Sequence, residues 1–221
     1  MSGALWALGS GVGFGLFQSL NRRALAGMDV ATSTFLQLLV SAVVLAFVAV
    51  LTQDVGLIAE APVGALVSFG LVGLIHFFVG WMLLNVGQVL IGAARTGPLL
   101  ATTPLFGAVL AAIWLGESPG LMTVAGMALT IVGVLVLHGE RDAEDPLTAH
   151  DPRSVDDDDG GRRDRTSAMT AGLMTRSRVR RRAGTLAALG TALCWAISPI
   201  FIRDGLEGLP SPLLGVTVSM V

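Results

Sequence analysis

Five apolar runs, each long enough to cross a bilayer, fill most of the first 138 residues. They fall at 4–21, 31–51, 63–90, 93–115 and 121–137, and a sixth begins at 184. A transmembrane helix needs about 20 such residues. Hydrocarbon offers no water to backbone N–H and C=O groups, so runs of this kind close their hydrogen bonds within helices. An all-α integral membrane protein is therefore predicted. Charge agrees, at 14% of residues where soluble domains carry roughly 25%. Residues 140–182 hold ten acidic residues and ten arginines, two thirds of the total. Those arginines adjoin an acidic run, so the net charge of −2 makes no case for nucleic acid.

The polar residues left inside the runs are few and therefore informative. Gln18 and Asn21 stand near the end of the first run, Asn21 beside Arg22-Arg23. Asn21 reads as interfacial, whereas Gln18 is open between an interfacial and a solute-facing role. The third run carries His76, Trp81, Asn85 and Gln88. Positions 81, 85 and 88 share one helix face. Such a stripe either lines a cavity or hydrogen-bonds neighbouring helices. His76 is a proton-coupling group or, more simply, a partner for a neighbour's hydroxyl. In the fourth run Pro98 and Pro104 accompany Thr96, Thr102 and Thr103. Each proline frees a carbonyl that something nearby must satisfy, which predicts a helix packed in a bundle or lining a wet cavity. Arg95 and Glu117 bracket that run. Each reads as a gate or cap, or as an ordinary helix-end group.

Cys194 is the only cysteine, so no intrachain disulfide forms, and its apolar setting suggests packing. The start, MSGALWALG, has no basic segment before its apolar run and does not read as a cleaved signal peptide. The segment 139–183, with Asp156 to Asp159 and Gly160-Gly161, reads as a charged disordered linker. Its end, RSRVRRR at 176–182, is a topology signal or a contact for anionic lipid head groups.

A shift of 181 positions lays GALWALGS at 3–10 on GTLAALGT at 184–191. Arg22 then meets Arg203, Leu25 meets Leu206 and Gly27 meets Gly208. This is an internal repeat. An odd number of spans separates the two starts, so the second copy enters from the opposite side, which makes an inverted-topology pair. Such pairs place solute near the midplane, between the halves. The second copy, 184–221, reads as truncated within its second span.

These residues resemble a known family. The Gly-rich opening of the first run, TTPLFGAVLAAIWLGE at 102–117 and SPGLMTVAGMALTIVGVLVL at 118–137 are similar to an EamA-type repeat of the drug/metabolite transporter (DMT) superfamily. On that resemblance 1–138 is a first five-helix repeat (TM1–TM5), 139–183 the linker, and 184–221 the start of a second repeat (TM6 and part of TM7). The family implies ten helices in two inverted halves around a central cavity, lined by helices corresponding to the first, third and fourth here. It implies efflux or exchange of a small metabolite by alternating access.

Gln18, His76, Trp81, Asn85, Gln88, Thr102 and Thr103 are then the substrate-pathway candidates, with Arg95 and Glu117 as gate or cap. No catalytic residue, metal or cofactor is called for. A non-transporting or half-transporter subunit is the alternative function, with a second copy or a complementary half as its partner. An integral-membrane enzyme is remote, because the intramembrane polar groups are amides, hydroxyls and indoles rather than acid–base pairs. The expected partners are the bilayer and a small-molecule solute, and the expected location is the cell membrane, as a multi-pass protein. The Arg22-Arg23 loop, Arg95 and the Arg-rich linker share one side of an alternating path, which the positive-inside rule makes cytoplasmic. The N-terminus then lies outside, although the family more often has it inside.

Overall fold

The computed structural model describes residues 2–114, 116, 120–143 and 160–221. Among these residues every regular element is helical. The first, α1 (Ser2–Ala24), is followed by a short turn, and α2 (Val30–Thr52) starts at an Asp29 cap whose carboxylate accepts from the Thr32 amide at 3.0 Å. Hydrogen bonds from Thr32, side chain first and then backbone, hold the Asp29 carboxyl below the ordinary carboxylate range. The expected loop at 53–62 contains one short helix, α3 (Gly56–Glu60).

The third span is continuous from 63 to 91 but not uniform. It is α4 (Val63–Val72), a π-helical segment (Gly73–Gly80) and α5 (Trp81–Ile91). Gly92, at φ 82°, then turns the chain into α6 (Ala93–Leu100). That backbone region admits glycine without a Cβ penalty.

The fourth span, expected as one helix over 93–115, is two: α6 and α7 (Thr103–Trp114), separated at Ala101-Thr102. Proline chemistry is the reason. Pro104 has no N–H to give to the Leu100 carbonyl one turn back. The Thr103 hydroxyl supplies a donor to that carbonyl at 2.7 Å, and Thr102 does the same for Leu99 at 2.6 Å.

The fifth span, α8 (Leu121–Ala143), runs past its expected end at 137. α9 (Gly160–Gly208) begins inside the segment expected to be a disordered linker. Arginine, leucine, methionine and alanine are good helix formers, and extending a helix already nucleated by a membrane span avoids the cost of a new nucleus. Arg180 fastens the junction by donating to the Val89 carbonyl at 3.1 Å. The last helix, α10 (Pro212–Met220), is capped by Ser211.

Among the described residues, four helical stretches are long and apolar enough to cross a membrane: 30–52, 63–91, 93–114 and 179–208. Large apolar side chains such as Val43, Phe47 and Val50 face outward from α2, as lipid-facing residues do. The third span is the axis of the bundle. α9 lies along it in the opposite direction, with Gly184 against Leu90 and Ile91, the Thr191 hydroxyl on the Gly80 carbonyl, and Gly208 against Pro62 and Ala65. α1 lies beside its later half in the same direction, Phe17 meeting Trp81 and Asn21 meeting Asn85 and Gln88. α1 and α9 therefore run opposite to one another. α10 starts at Gln53, where α2 ends, and follows the third span from Phe69 to Gly73, so it also opposes α2. A small apolar core of Ala49, Phe69, Leu209 and Leu214 joins these elements.

Candidate functional site

The face shared by Trp81, Asn85 and Gln88 divides between two layers. The first is a cluster of amides. Asn85 and Gln88 are fully buried, and Asn21 and Gln18 nearly so. The Asn21 NH2 donates to Asn85 Oδ1 at 2.8 Å and to Gln88 Oε1 at 3.0 Å. The Asn85 NH2 donates to Thr34 Oγ1 at 2.8 Å and to Gln37 Oε1 at 3.3 Å. Gln37 donates to Asn21 Oδ1 and Ser33 Oγ, and Gln88 donates to Gln18 Oε1. The amides on α1, α2 and α5 thus satisfy one another. They form a polar clamp across three helices, at the arginine-rich end of the bundle.

The second layer is aromatic and lies near mid-span. Phe14 of α1, His76 of the π-helical segment and Trp195 of α9 each stand close to the midpoint of 2–24, 63–91 and 179–208 respectively. Phe14 meets Trp195 edge-on at 5.7 Å, and Phe17 meets Trp81 edge-on at 5.1 Å. His76 stacks on Trp195 at 5.3 Å and 14°, and the two indoles are 6.4 Å apart. His76 Nδ1 is 3.0 Å from Ser198 Oγ, whose hydroxyl also donates to the Cys194 carbonyl. The glycine at 80 makes this approach feasible, because a Cβ there would stand 2.8 Å from Trp195 Nε1.

This layer departs from the clamp in one respect. The Nε1–H groups of both Trp81 and Trp195 are buried and have no hydrogen-bond partner. A buried donor without an acceptor is costly, by about 1–3 kcal/mol, and calls for an explanation such as a bound water or ligand. π-Helical segments often accompany functional sites, and here one presents His76.

The structure gathers Gln18, Asn85 and Gln88 into the clamp, and His76 and Trp81 into the aromatic layer. Thr102 and Thr103 satisfy the break between α6 and α7. Arg95 lies half-buried in the first turn of α6. Glu117 falls outside the described residues. Asn21, expected at the interface, is instead central to the clamp, because it projects towards α5 while Arg22 and Arg23 carry the helix end. Phe14, Phe17, Trp195 and Ser198 were not among the candidates. Phe14 and Trp195 differ by 181, the repeat offset, so that register contained the signal.

A family model, the EamA-like transporter family, matches residues 1–138. The chain belongs to this family. Comparisons with curated proteins and with solved structures give no match. The EamA match covers α1 to α7 and most of α8, and hence the whole amide clamp. Two members of the aromatic layer, Trp195 and Ser198, come from α9 beyond it.

Proposed function

We propose that this EamA-family membrane protein is a secondary carrier that binds a small solute at the mid-span aromatic layer and moves it by alternating access. The unpaired indole donors of Trp81 and Trp195 carry the reading. Two neutral indole donors, on rings whose centres are 6.4 Å apart, suit acceptor oxygens on a solute, and the surrounding rings suit an apolar or flat body. The position also fits. Phe14 and Trp195 are equivalent residues of the two repeat copies and touch each other, as side chains beside a pseudo-two-fold axis do. The opposite directions of α1 and α9, and of α2 and α10, support an inverted pair, in which the solute site belongs at the midplane between copies.

On this reading the candidates divide by role. His76 and Trp81 contact solute, whereas Gln18, Asn85 and Gln88 hold the helices that frame it. Thr102 and Thr103 flank the point where the fourth span bends, and Arg95 and Glu117 remain gate or cap positions. The arginine-rich end is cytoplasmic by the positive-inside rule.

The test is a thermal-shift screen of the purified full-length chain against amino acids, nucleosides and organic cations, followed by uptake into proteoliposomes. Trp81→Phe and Trp195→Phe keep the rings and remove the donors. Each variant is expected to weaken binding of a stabilising solute by up to about tenfold, the worth of one hydrogen bond. Unchanged affinity in both variants would remove the aromatic layer as the binding site.

A further inference from the structure

The start of the membrane-spanning part of α9 carries a pocket that neither the amide clamp nor the aromatic layer uses. Its volume is about 560 Å³, and among the described residues Arg181, Arg182, Thr185 and Leu186 line it. Small-molecule sites commonly measure roughly 300–1,000 Å³. The four positions are i, i+1, i+4 and i+5 of one helix, so they fall on one side of it. The other side is occupied by packing. Gly184 lies against Leu90 and Ile91, and Ala187, Ala188 and Thr191 are buried. Arg180 also turns that way, donating to the Val89 carbonyl at 3.1 Å. The contact that holds α9 on α5 thus leaves Arg181 and Arg182 on the pocket side.

The length of the span sets the depth of these residues. Residues 179–208 make 30 residues of helix, about 45 Å at a rise of about 1.5 Å each. A bilayer is about 30 Å of hydrocarbon, and about 40–45 Å with its head groups. Near the membrane normal, roughly five residues at each end then stand among the head groups. Arg181 and Arg182 fall in that layer, Thr185 at its edge and Leu186 in hydrocarbon. The face continues downward. Arg182, Leu186 and Leu193 follow i, i+4 and i+11, and the two leucines are 68% and 41% exposed. One face therefore offers positive charge, then a hydroxyl, then an apolar track.

We propose that this pocket binds the head group of an anionic phospholipid, with its phosphodiester on Arg181, Arg182 and Thr185 and one acyl chain along Leu186 and Leu193. The guanidinium fork matches phosphate oxygens, and the hydroxyl adds a further donor. A topology signal needs only the charge. The shaped pocket and the apolar track below it belong to a ligand that has both a phosphate and a tail, which a soluble anion lacks. The arginine-rich end faces the cytoplasm by the positive-inside rule, and that leaflet is the one rich in anionic lipid. Attraction to such a surface is worth about fivefold per arginine.

The experiment is native mass spectrometry of the purified full-length chain, delipidated in detergent and titrated with phosphatidylglycerol or phosphatidylcholine of the same acyl chains. Phosphatidylglycerol is expected to bind about tenfold or more tightly than phosphatidylcholine. The Arg181→Gln, Arg182→Gln double variant should lose about 25-fold in phosphatidylglycerol affinity, at about fivefold per arginine. Thr185→Val removes only the hydroxyl and should lose about two- to tenfold, which covers the case in which the double variant does not fold. An Arg22→Gln, Arg23→Gln variant makes the same charge change at the same end of the bundle but on α1, and should stay within about threefold of the parent in about 0.15 M salt. Equal affinity for the two lipids would overturn the proposal, as would an equal loss in the α1 variant, which would mean a diffuse field and no pocket. Displacement of the lipid by glycerol phosphate at matched concentration would also overturn it, by making the site one for a soluble anion. The measurement involves no transported solute.

Discussion

Asn85 discriminates a clamp from a cavity. Its side chain makes three hydrogen bonds, with Asn21 and Thr34 at 2.8 Å and Gln37 at 3.3 Å, and has no exposed surface. Interhelical hydrogen bonds inside a membrane average about 0.6 kcal/mol each, so Asn85→Leu loses about 2 kcal/mol. The usual penalty for orphaned partners adds little here. Thr34 still donates to the Val30 carbonyl at 2.7 Å, Asn21 keeps Gln88 and Gln37, and Gln37 keeps Ser33. About 2 kcal/mol is roughly a 30-fold change in the folding equilibrium. Reversible unfolding in mixed micelles with rising dodecyl sulfate, followed by circular dichroism, would read it. An Asn21→Leu, Asn85→Leu cycle should show a coupling of about 0.6 to 1.7 kcal/mol. Solute affinity in the folded fraction should stay within about twofold of the parent, as expected for a residue outside the site. Unchanged stability with solute binding lowered more than about tenfold would instead make the amides the site.

Three further outcomes follow from local geometry. Thr103→Val removes the donor that replaces the missing Pro104 N–H and should cost about 1 kcal/mol. Pro104→Ala on that background should recover most of it by restoring a backbone donor to Leu100, read by the same unfolding assay. Gly73→Ala would place a Cβ 2.1 Å from the Ser219 carbonyl oxygen, a backbone atom of α10. The forced shift should cost about 1–3 kcal/mol and expose the α10 end to proteolysis. Asp29→Ala should lower thermal stability and Asp29→Ser should largely preserve it, since serine also caps. The Asp29 pKa is lowered from 3.8 in the folded protein, so its contribution is present above 3.8 and lost as pH falls through the lower folded value. The Asp29→Ala difference should accordingly shrink in an acid titration.

The sequence made the spans legible because bilayer thickness and backbone hydrogen bonding leave a chain few choices, and α2, the third span and α8 begin where hydropathy placed them. What it did not show depends on which helix meets which. The face of 81, 85 and 88 was readable from spacing, yet Trp81 turns to Phe17 and Trp195 while Asn85 and Gln88 enter the amide clamp, and spacing alone knows nothing of those partners. Asn21 was misplaced for the same reason: its nearness to Arg22 suggested water, and the crossing with α5 supplied Asn85 instead. The fourth span's break was half legible, since Pro98 and Pro104 announced freed carbonyls but not that Thr102 and Thr103 would satisfy them locally. The helical part of 160–183 was hidden by its charge, because composition that forbids a core does not forbid extension of a helix anchored by its neighbour. Trp195 differs in kind. Its importance was encoded by the 181-residue register, which pairs it with Phe14, but only a bundle in which α1 and α9 cross at mid-span turns that correspondence into a contact. A sequence offset read for chemistry at each aligned pair, rather than for hydropathy alone, points to the Phe14–Trp195 contact.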